Sequence, residues 1–133
     1  MKRFDVQGIE LDVPFQAAFD FLADPNQWPR WTNAFASVAG NSAVMRTADG
    51  EVAVTFQCVA NRDLGHIDTT IQFPDGSSVT AWTRLVGDAG GCCYSFILPA
   101  PPAALEQLEG GLEQQSRILA AELRAAKTIL ERE

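Results

Sequence analysis

The chain has 133 residues, and its 17 Asp and Glu outnumber its 10 Lys and Arg, which gives a net charge of −7. A chain of this length buries about two-thirds of its unfolded surface. We therefore expect a single domain over residues 1–133, with a core and room for an internal pocket. An acidic surface repels phosphate, which disfavours nucleic acids and anionic membranes as partners.

Motifs and composition exclude several further classes of protein. No stretch approaches the run of about 18 apolar residues that predicts a membrane-spanning helix, and residues 1–5 do not begin a signal-peptide core. Cys58, Cys92 and Cys93 are therefore expected to be reduced thiols of a cytoplasmic protein. A Cys–His nucleophile pair would need His66, the only histidine, beside one of these thiols. Without CxxC, Cys/His cluster, GxSxG, Walker or GxGxxG motifs, the sequence predicts no metal site and no cofactor.

The N-terminal segment predicts a strand followed by two helical pieces. Residues 3–12 alternate loosely, as a strand does. Pro14 is expected to open a helix, because its missing N–H costs nothing in the first turn, and Asp24-Pro25 is expected to end it. The apolar stripe of this helix consists of Phe15, Ala18, Phe19 and Leu22. The stretch Trp28-Pro29-x-Trp31 predicts a loop or a one-turn helix.

From Phe35 onward, short runs separated by turn signals such as Asp49-Gly50 predict an antiparallel meander. The strands are expected at residues 35–39, 43–47, 51–60, 66–73, 77–86 and 92–98. In the strand that begins at His66, one face carries Ile67, Thr69, Ile71 and Phe73. His66 and Asp68 lie on the other face, so this strand is expected to have one buried and one wet side.

The C-terminal part predicts one long helix from Ala103 onward. Its apolar stripe consists of Leu105, Leu108, Leu112, Leu119, Leu123, Ala126 and Leu130. Gln115 and Ser116 interrupt the stripe, and burial without partners costs on the order of 1–3 kcal/mol for each. Two explanations stay open: a wet cavity or a ligand satisfies both side chains, or the helix leaves the protein body near Gly110-Gly111. Glu122 is expected on the solvated face.

The order of these elements, together with one N-terminal motif, carries a resemblance to a known family. The motif is an apolar helix through Ala18-Phe19-Asp20-Phe21-Leu22 into Ala23-Asp24-Pro25, followed by Trp28-Pro29-x-Trp31. Further matches are Leu64-Gly65-His66-Ile67-Asp68, Asp75-Gly76, Arg84-Leu85-Val86 and the C-terminal Leu119, Leu123, Lys127 and Leu130. Over nearly its whole length the chain resembles the START-related SRPBCC superfamily, in its polyketide cyclase/dehydrase-like branch.

The resemblance implies an α+β helix-grip fold. In this fold a curved antiparallel sheet of about seven strands wraps around a long C-terminal helix, with two short helices after the first strand. The resemblance also implies an apolar cavity between sheet and helix, and it brings neither a catalytic triad nor a cofactor. We therefore predict that the protein binds a small hydrophobic or amphipathic ligand, without membrane insertion, as a monomer or homodimer.

The candidate ligand-binding residues come from the aromatic connection, the sheet and the C-terminal helix. Trp28 and Trp31 either gate the pocket and stack on a ring, or pack between the short helices and the sheet. The sheet residues either line an open space or fill the interior. The full candidate set is Trp28, Trp31, Phe56, Cys58, Trp82, Tyr94, Phe96, Leu112, Gln115, Ser116 and Leu119.

An enzymatic alternative rests on four ionisable residues. His66 and Asp68 share one strand face, and a hairpin would bring Arg84 of the next strand beside them. With Tyr94 they would form an acid/base and oxyanion set for a cyclase, aromatase or dehydratase that acts on a carbonyl substrate. Alternation argues against this set, because His66 and Asp68 point outward if Ile67 points inward. The other interpretation is an exposed salt-bridge face.

A third possibility is a protein-interaction module or an obligate dimer. It requires an apolar patch on the outer face of the sheet. Val79, Ala81 and Leu85 would form such a patch if Trp82 faced inward, so the direction of Trp82 decides whether these three residues are exposed.

Overall fold

The computed structural model describes residues 3–47, 50–100 and 111–132. The strands are β1 (Phe4–Leu11), β2 (Phe35–Ala39), β3 (Ser42–Thr47), β4 (Gly50–Asn61), β5 (His66–Gln72), β6 (Ser78–Asp88) and β7 (Gly91–Pro99). They form one seven-stranded antiparallel sheet in the order β1-β7-β6-β5-β4-β3-β2. The strands β2 to β7 are the predicted meander, and β1 crosses over to pair with β7.

Two short helices and one turn of 3-10 helix connect β1 to β2. Helix α1 spans Phe15–Leu22, the 3-10 turn spans Pro25–Gln27 and α2 spans Trp28–Trp31. Pro14 is the residue before α1 and not its first residue, because its backbone is extended. The long helix α3 spans Leu112–Arg132. Within residues 3–47, 50–100 and 111–132, no helix has the length and apolar character needed to cross a bilayer.

Helix α3 packs against the sheet along β1 and also contacts α1 and α2. Its buried residues are Gln115, Leu119, Leu123, Ala126 and Leu130. The predicted helix-grip arrangement is therefore confirmed in its seven antiparallel strands, its two short helices after the first strand and its long C-terminal helix. The predicted helix start at Ala103, the stripe residues Leu105 and Leu108, and the turn residue Asp49 lie outside the described residues.

A hydrophobic core joins the helices to the inner face of the sheet. Leu11 of β1, Phe19 and Leu22 of α1, Leu85 of β6 and Leu123 of α3 are each at most 4% exposed. Full burial of such a side chain contributes about 1.5–3 kcal/mol. The sheet and the three helices therefore stabilise one another, and a pocket lies between them.

Strand alternation gives the sheet an apolar inner face and a mixed outer face. On β5, Ile67 points inward and is 2% exposed. The intervening residues pair across the strands on the outer face, His66 with Arg84 and Asp68 with Trp82. Because this alternation has a period of two residues, the inner face of β5 and β6 is available to line a pocket under the helices.

Candidate functional site

A pocket lies between the inner face of the sheet and the helices α2 and α3. Its volume is about 150 Å³. Most of its wall is apolar, and six of the lining side chains are aromatic: Trp28, Trp31, Phe35, Phe73, Tyr94 and Phe96. An apolar wall with a few polar groups is typical of small-molecule sites.

Alternation along two central strands explains which sheet residues reach this pocket. The strands β5 and β6 contribute every second residue, namely Ile67, Thr69, Ile71, Val79, Ala81 and Thr83. This spacing is the period of a pleated strand, which sends successive side chains to opposite faces. The alternation of side chains along β5 and β6 therefore determines which residues form the floor of the pocket.

Trp28 forms the wall at the α2 end. Its ring centroid lies 4.9 Å from that of Phe35 and 4.8 Å from that of Phe56. Aromatic pairs in this range contribute about 0.5–1.5 kcal/mol beyond the area that they bury. Trp28 thus lines the pocket and packs in the core at the same time.

Tyr94 places a hydroxyl group in the apolar wall. Burial raises the pKa of its phenol, while a hydrogen bond with Thr83 acts in the opposite direction and is the smaller effect. Thr83 Oγ1 in turn donates a hydrogen bond of 2.5 Å to the carbonyl oxygen of Ile67. The phenol therefore stays neutral at physiological pH and serves as a hydrogen-bonding group and not as a base.

Three polar side chains lie where the end of α2 packs against α3. Trp31 Nε1 and Thr32 Oγ1 are buried, and neither has a hydrogen-bond partner within the part of the chain that the structure describes. Glu122 of α3 lines the same pocket. Its carboxylate accepts a hydrogen bond of 2.8 Å from the backbone N–H of Asn33, the residue after Thr32. This end of the pocket thus combines two donors that lack acceptors with one carboxylate.

No protein-family model and no curated protein matches this sequence. Solved structures match its fold. A protein from Chromobacterium violaceum is 14% identical and superposes with a TM-score of 0.71, over 98% of this chain and 99% of that one. A START superfamily protein from Mycobacterium smegmatis is 11% identical and superposes with a TM-score of 0.67, over 98% and 99%. The chain has the START-like helix-grip fold.

A third solved structure with the START-like fold is that of a protein from a biosynthetic pathway. It is the di-domain ARO/CYC protein StfQ from the steffimycin biosynthetic pathway, which is 18% identical and superposes with a TM-score of 0.68. The match covers 97% of this chain and 51% of StfQ. At such identities the likeness establishes the fold, and the chemistry has to be argued from the residues of this chain.

Within the START-like fold, some of the candidate ligand-binding residues line the inner pocket and others do not. Those that line it are Trp28, Trp31, Tyr94, Phe96, Gln115 and Leu119. Phe56 packs behind Trp28 and lies with Cys58 along a separate open cleft beside Pro25. Leu112 is the half-buried first residue of α3 and is not part of the lining.

Trp82 lies on the outer face of the sheet and is 41% exposed. Its neighbours Ala81 and Thr83 face the pocket, so the alternation of β6 turns Trp82 away from it. The patch that an inward-facing Trp82 would have left on the outer face is therefore absent from it. Its three residues, Val79, Ala81 and Leu85, lie on the inner side. Apolar side chains on the outer face include Trp82, Ile97 and Val6, which are cross-strand neighbours.

Ser116 is hydrogen-bonded to β1. Gln7 Nε2 lies 3.1 Å from Ser116 Oγ and 2.8 Å from the Ser116 carbonyl oxygen, and it also donates to Asp5 Oδ2 at 2.6 Å. Ser116 therefore requires neither a ligand nor a helix that leaves the sheet. Gln115, its neighbour, is 5% exposed and lines the pocket.

The four candidate catalytic residues are divided between the two faces of the sheet. His66, Asp68 and Arg84 line a shallow depression on the outer face beside Trp82, whereas Tyr94 lines the inner pocket. The sheet itself separates the two groups, so they do not form one acid/base set. Within the described ranges, no three His, Cys, Asp or Glu side chains are placed to hold a metal ion together.

Glu122 and Thr32 are two of the pocket residues that the candidate set did not contain. Glu122, expected on the solvated face, follows Leu119 by three residues and precedes Leu123, so its position at the flank of the apolar stripe was a usable signal. Thr32 belongs to no periodic pattern. Its place in the site follows from the way α2 ends against α3.

Proposed function

We propose that this protein binds a small hydrophobic or amphipathic molecule in the pocket between the sheet and α3. The observation that carries the proposal is the set of six aromatic side chains around a space of about 150 Å³. An apolar cavity of roughly this size holds a benzene-sized molecule. The described pocket therefore suits a single ring with short substituents.

The proposed binding residues are those candidates that line the pocket. Trp28, Trp31 and Phe96 supply ring surfaces, Leu119 supplies the α3 side, and Tyr94 supplies a neutral hydroxyl. Ring faces and edges favour an aromatic occupant, because offset and edge-on contacts are better than contact with water. The likeness in fold to StfQ, an ARO/CYC protein of a biosynthetic pathway, supports a small molecule as the occupant.

The enzymatic alternative, a polyketide cyclase, aromatase or dehydratase acting on a carbonyl substrate, has less support from the residues. Three of its four candidates, His66, Asp68 and Arg84, lie on the outer face of the sheet. The ionisable residues in the described lining are Tyr94 and Glu122. Because burial keeps Tyr94 neutral, these two residues are better suited to hydrogen-bonding a ligand than to acting as a general acid and base.

Ethylbenzene is the probe that tests the binding proposal. We expect saturable binding, with a Kd on the order of 0.1 mM for a ligand of this size. The substitution Ala81→Leu adds carbon atoms to the pocket floor, so it is expected to weaken binding by about tenfold or more because the added atoms take the ligand's place. Calorimetry and NMR titration measure both effects.

The matched control for this experiment is Ala53→Leu. Ala53 lies in the same sheet, on β4, but is exposed to solvent and does not line the inner pocket. We expect this variant to bind ethylbenzene as the unaltered protein does. Absence of saturable binding to the unaltered protein, or equal affinity in Ala81→Leu, would show that the pocket is not the binding site.

A further inference from the structure

Two buried hydrogen-bond donors at one end of the pocket lack acceptors. Trp31 is 6% exposed, and within the described residues its Nε1–H has no partner, nor has the buried Oγ1 of Thr32. Both residues line the inner pocket. A buried donor without an acceptor is unfavourable, because folding removed its hydrogen bond to water and supplied no replacement. An occupant that brings an acceptor atom to this end would remove that cost.

Two other polar side chains of the interior, Thr83 and Ser116, already have partners. Thr83 Oγ1 donates to the Ile67 carbonyl oxygen. Ser116 accepts from Gln7. In the described part of the chain, the buried side-chain atoms that lack a partner are Trp31 Nε1 and Thr32 Oγ1. Both of these atoms belong to residues at the end of the pocket beside α2.

Glu122 bears on the charge that an occupant can carry at this end of the pocket. Its carboxylate lines the pocket and is held by the backbone N–H of Asn33, directly after Thr32. A carboxylate on the ligand would therefore approach a like charge, which is less favourable than the approach of a neutral oxygen. A neutral oxygen can accept from the two donors without this repulsion.

We propose that the pocket selects a one-ring molecule with a neutral hydrogen-bond-accepting oxygen, to which Trp31 Nε1 and Thr32 Oγ1 donate. This inference rests on the proposed function and adds the chemical class of the ligand. The ring contacts the aromatic wall, and the oxygen lies at the α2 end. Trp31 thus has two roles, because its ring face contributes apolar surface and its N–H contributes specificity.

Three probes of the same heavy-atom shape separate these contributions. Acetophenone carries one neutral oxygen beside the ring, α-methylstyrene replaces that oxygen with a carbon, and benzoate carries a negative charge at the same place. Calorimetry gives the Kd of each probe for the unaltered protein. We expect benzoate to bind about tenfold or more weakly than acetophenone, because of its repulsion by Glu122. Benzoate binding as tight as that of acetophenone would overturn the assignment of a neutral ligand.

The role of the indole N–H is tested by Trp31→Phe, which keeps an aromatic ring and removes the donor. We expect the ratio of the Kd of acetophenone to that of α-methylstyrene to rise about five- to tenfold in this variant. In the matched variant Trp28→Phe, both probes are expected to weaken together, so the ratio should change less than about twofold. An unchanged ratio in Trp31→Phe, or an equal change in Trp28→Phe, would overturn the inference.

A measurement on the unaltered protein keeps the inference testable if Trp31→Phe does not fold. The indole N–H resonance of Trp31 should move downfield on addition of acetophenone and not on addition of α-methylstyrene, because only the ketone accepts a hydrogen bond. Equal movement with both probes would contradict the inference. If none of the probes binds, the proposed function itself fails, whereas binding of both neutral probes without discrimination removes only the further inference.

Discussion

Tyr94 shows how burial determines the chemistry of a single side chain. Its ring packs edge-on against Phe96, with 6.2 Å between the ring centroids, and the residue is 3% exposed. Burial raises the pKa of the phenol, because a phenolate in this position would lose its hydration. Tyr94 is also the only tyrosine of the chain. A titration of the whole protein therefore reports on this one hydroxyl group.

We expect the phenolate absorbance of the folded protein to appear only well above the ordinary tyrosine pKa of about 10. In that range the folded state keeps a proton that the unfolded chain releases, so the free energy of unfolding falls as the pH rises through the folded pKa. Spectrophotometric titration, together with urea unfolding at stepwise pH, measures both effects. Tyr94→Phe is the control and should lose the absorbance change and flatten the alkaline decline. A phenolate transition at about pH 10 in the folded protein would contradict the expectation.

At the scale of elements, Gly65 positions the turn after β4 against β6. Its φ of +70° is favourable for glycine and unfavourable for other residues. The Gly65 carbonyl oxygen accepts a hydrogen bond of 2.8 Å from the Leu85 N–H. A Cβ atom on residue 65 would lie 2.0 Å from the carbonyl oxygen of Leu85. The backbone of β6 can approach this turn only because no side chain is present there.

This close approach predicts unequal effects of two glycine substitutions. Gly76 also has a positive φ, of +89°, but no atom lies within 4 Å of its Cβ position. We expect Gly76→Ala to lower the free energy of unfolding by about 1–2 kcal/mol, through backbone strain alone. Gly65→Ala adds the clash with Leu85 and should cost about 3 kcal/mol or more. Urea denaturation measures the free energy of unfolding of both variants. An equal decrease in the two would show that the close approach of β6 does not add to the cost of Gly65→Ala.

In the molecule as a whole, the three cysteines differ in their exposure to solvent. Cys92 is buried, Cys58 is half-buried and Cys93 is exposed. Cys92 and Cys93 differ because neighbouring residues of β7 point to opposite faces of the sheet. Burial raises the pKa of the Cys58 and Cys92 thiols. A smaller thiolate fraction and restricted access both slow their reactions.

We therefore expect a thiol reagent at neutral pH to label Cys93 rapidly and the other two cysteines about tenfold or more slowly. Denaturant should remove the difference, because unfolding opens the shared core and exposes Cys58 and Cys92 together. Stopped-flow absorbance with a chromogenic disulfide reagent resolves the phases. Cys93→Ser should abolish the rapid phase alone. Two rapid phases in the unaltered protein would show that Cys58 or Cys92 is not protected by burial.

Local sequence patterns were enough to predict the strands, the helices and the two faces of the central strands. Each strand of the meander ends within two residues of its expected boundary, and Ile67 and Ile71 face inward as their alternation indicates. The stripe through Leu119, Leu123 and Leu130 is buried as expected of an amphipathic helix. These features depend on side chains a few residues apart, so local periodicity is enough to reveal them.

The set of residues that meet at the pocket depends instead on long-range contacts. The register of β6 turns Trp82 outward, and Gln7 satisfies Ser116 across 109 residues of sequence. The packing of α2 against α3 places Trp31, Thr32 and Glu122 around one polar end of an apolar space. Such contacts join residues that are distant in sequence, and no local pattern encodes them. Which polar atoms lack a partner depends on the packing of the whole interior, and that is the information from which the ligand class is inferred.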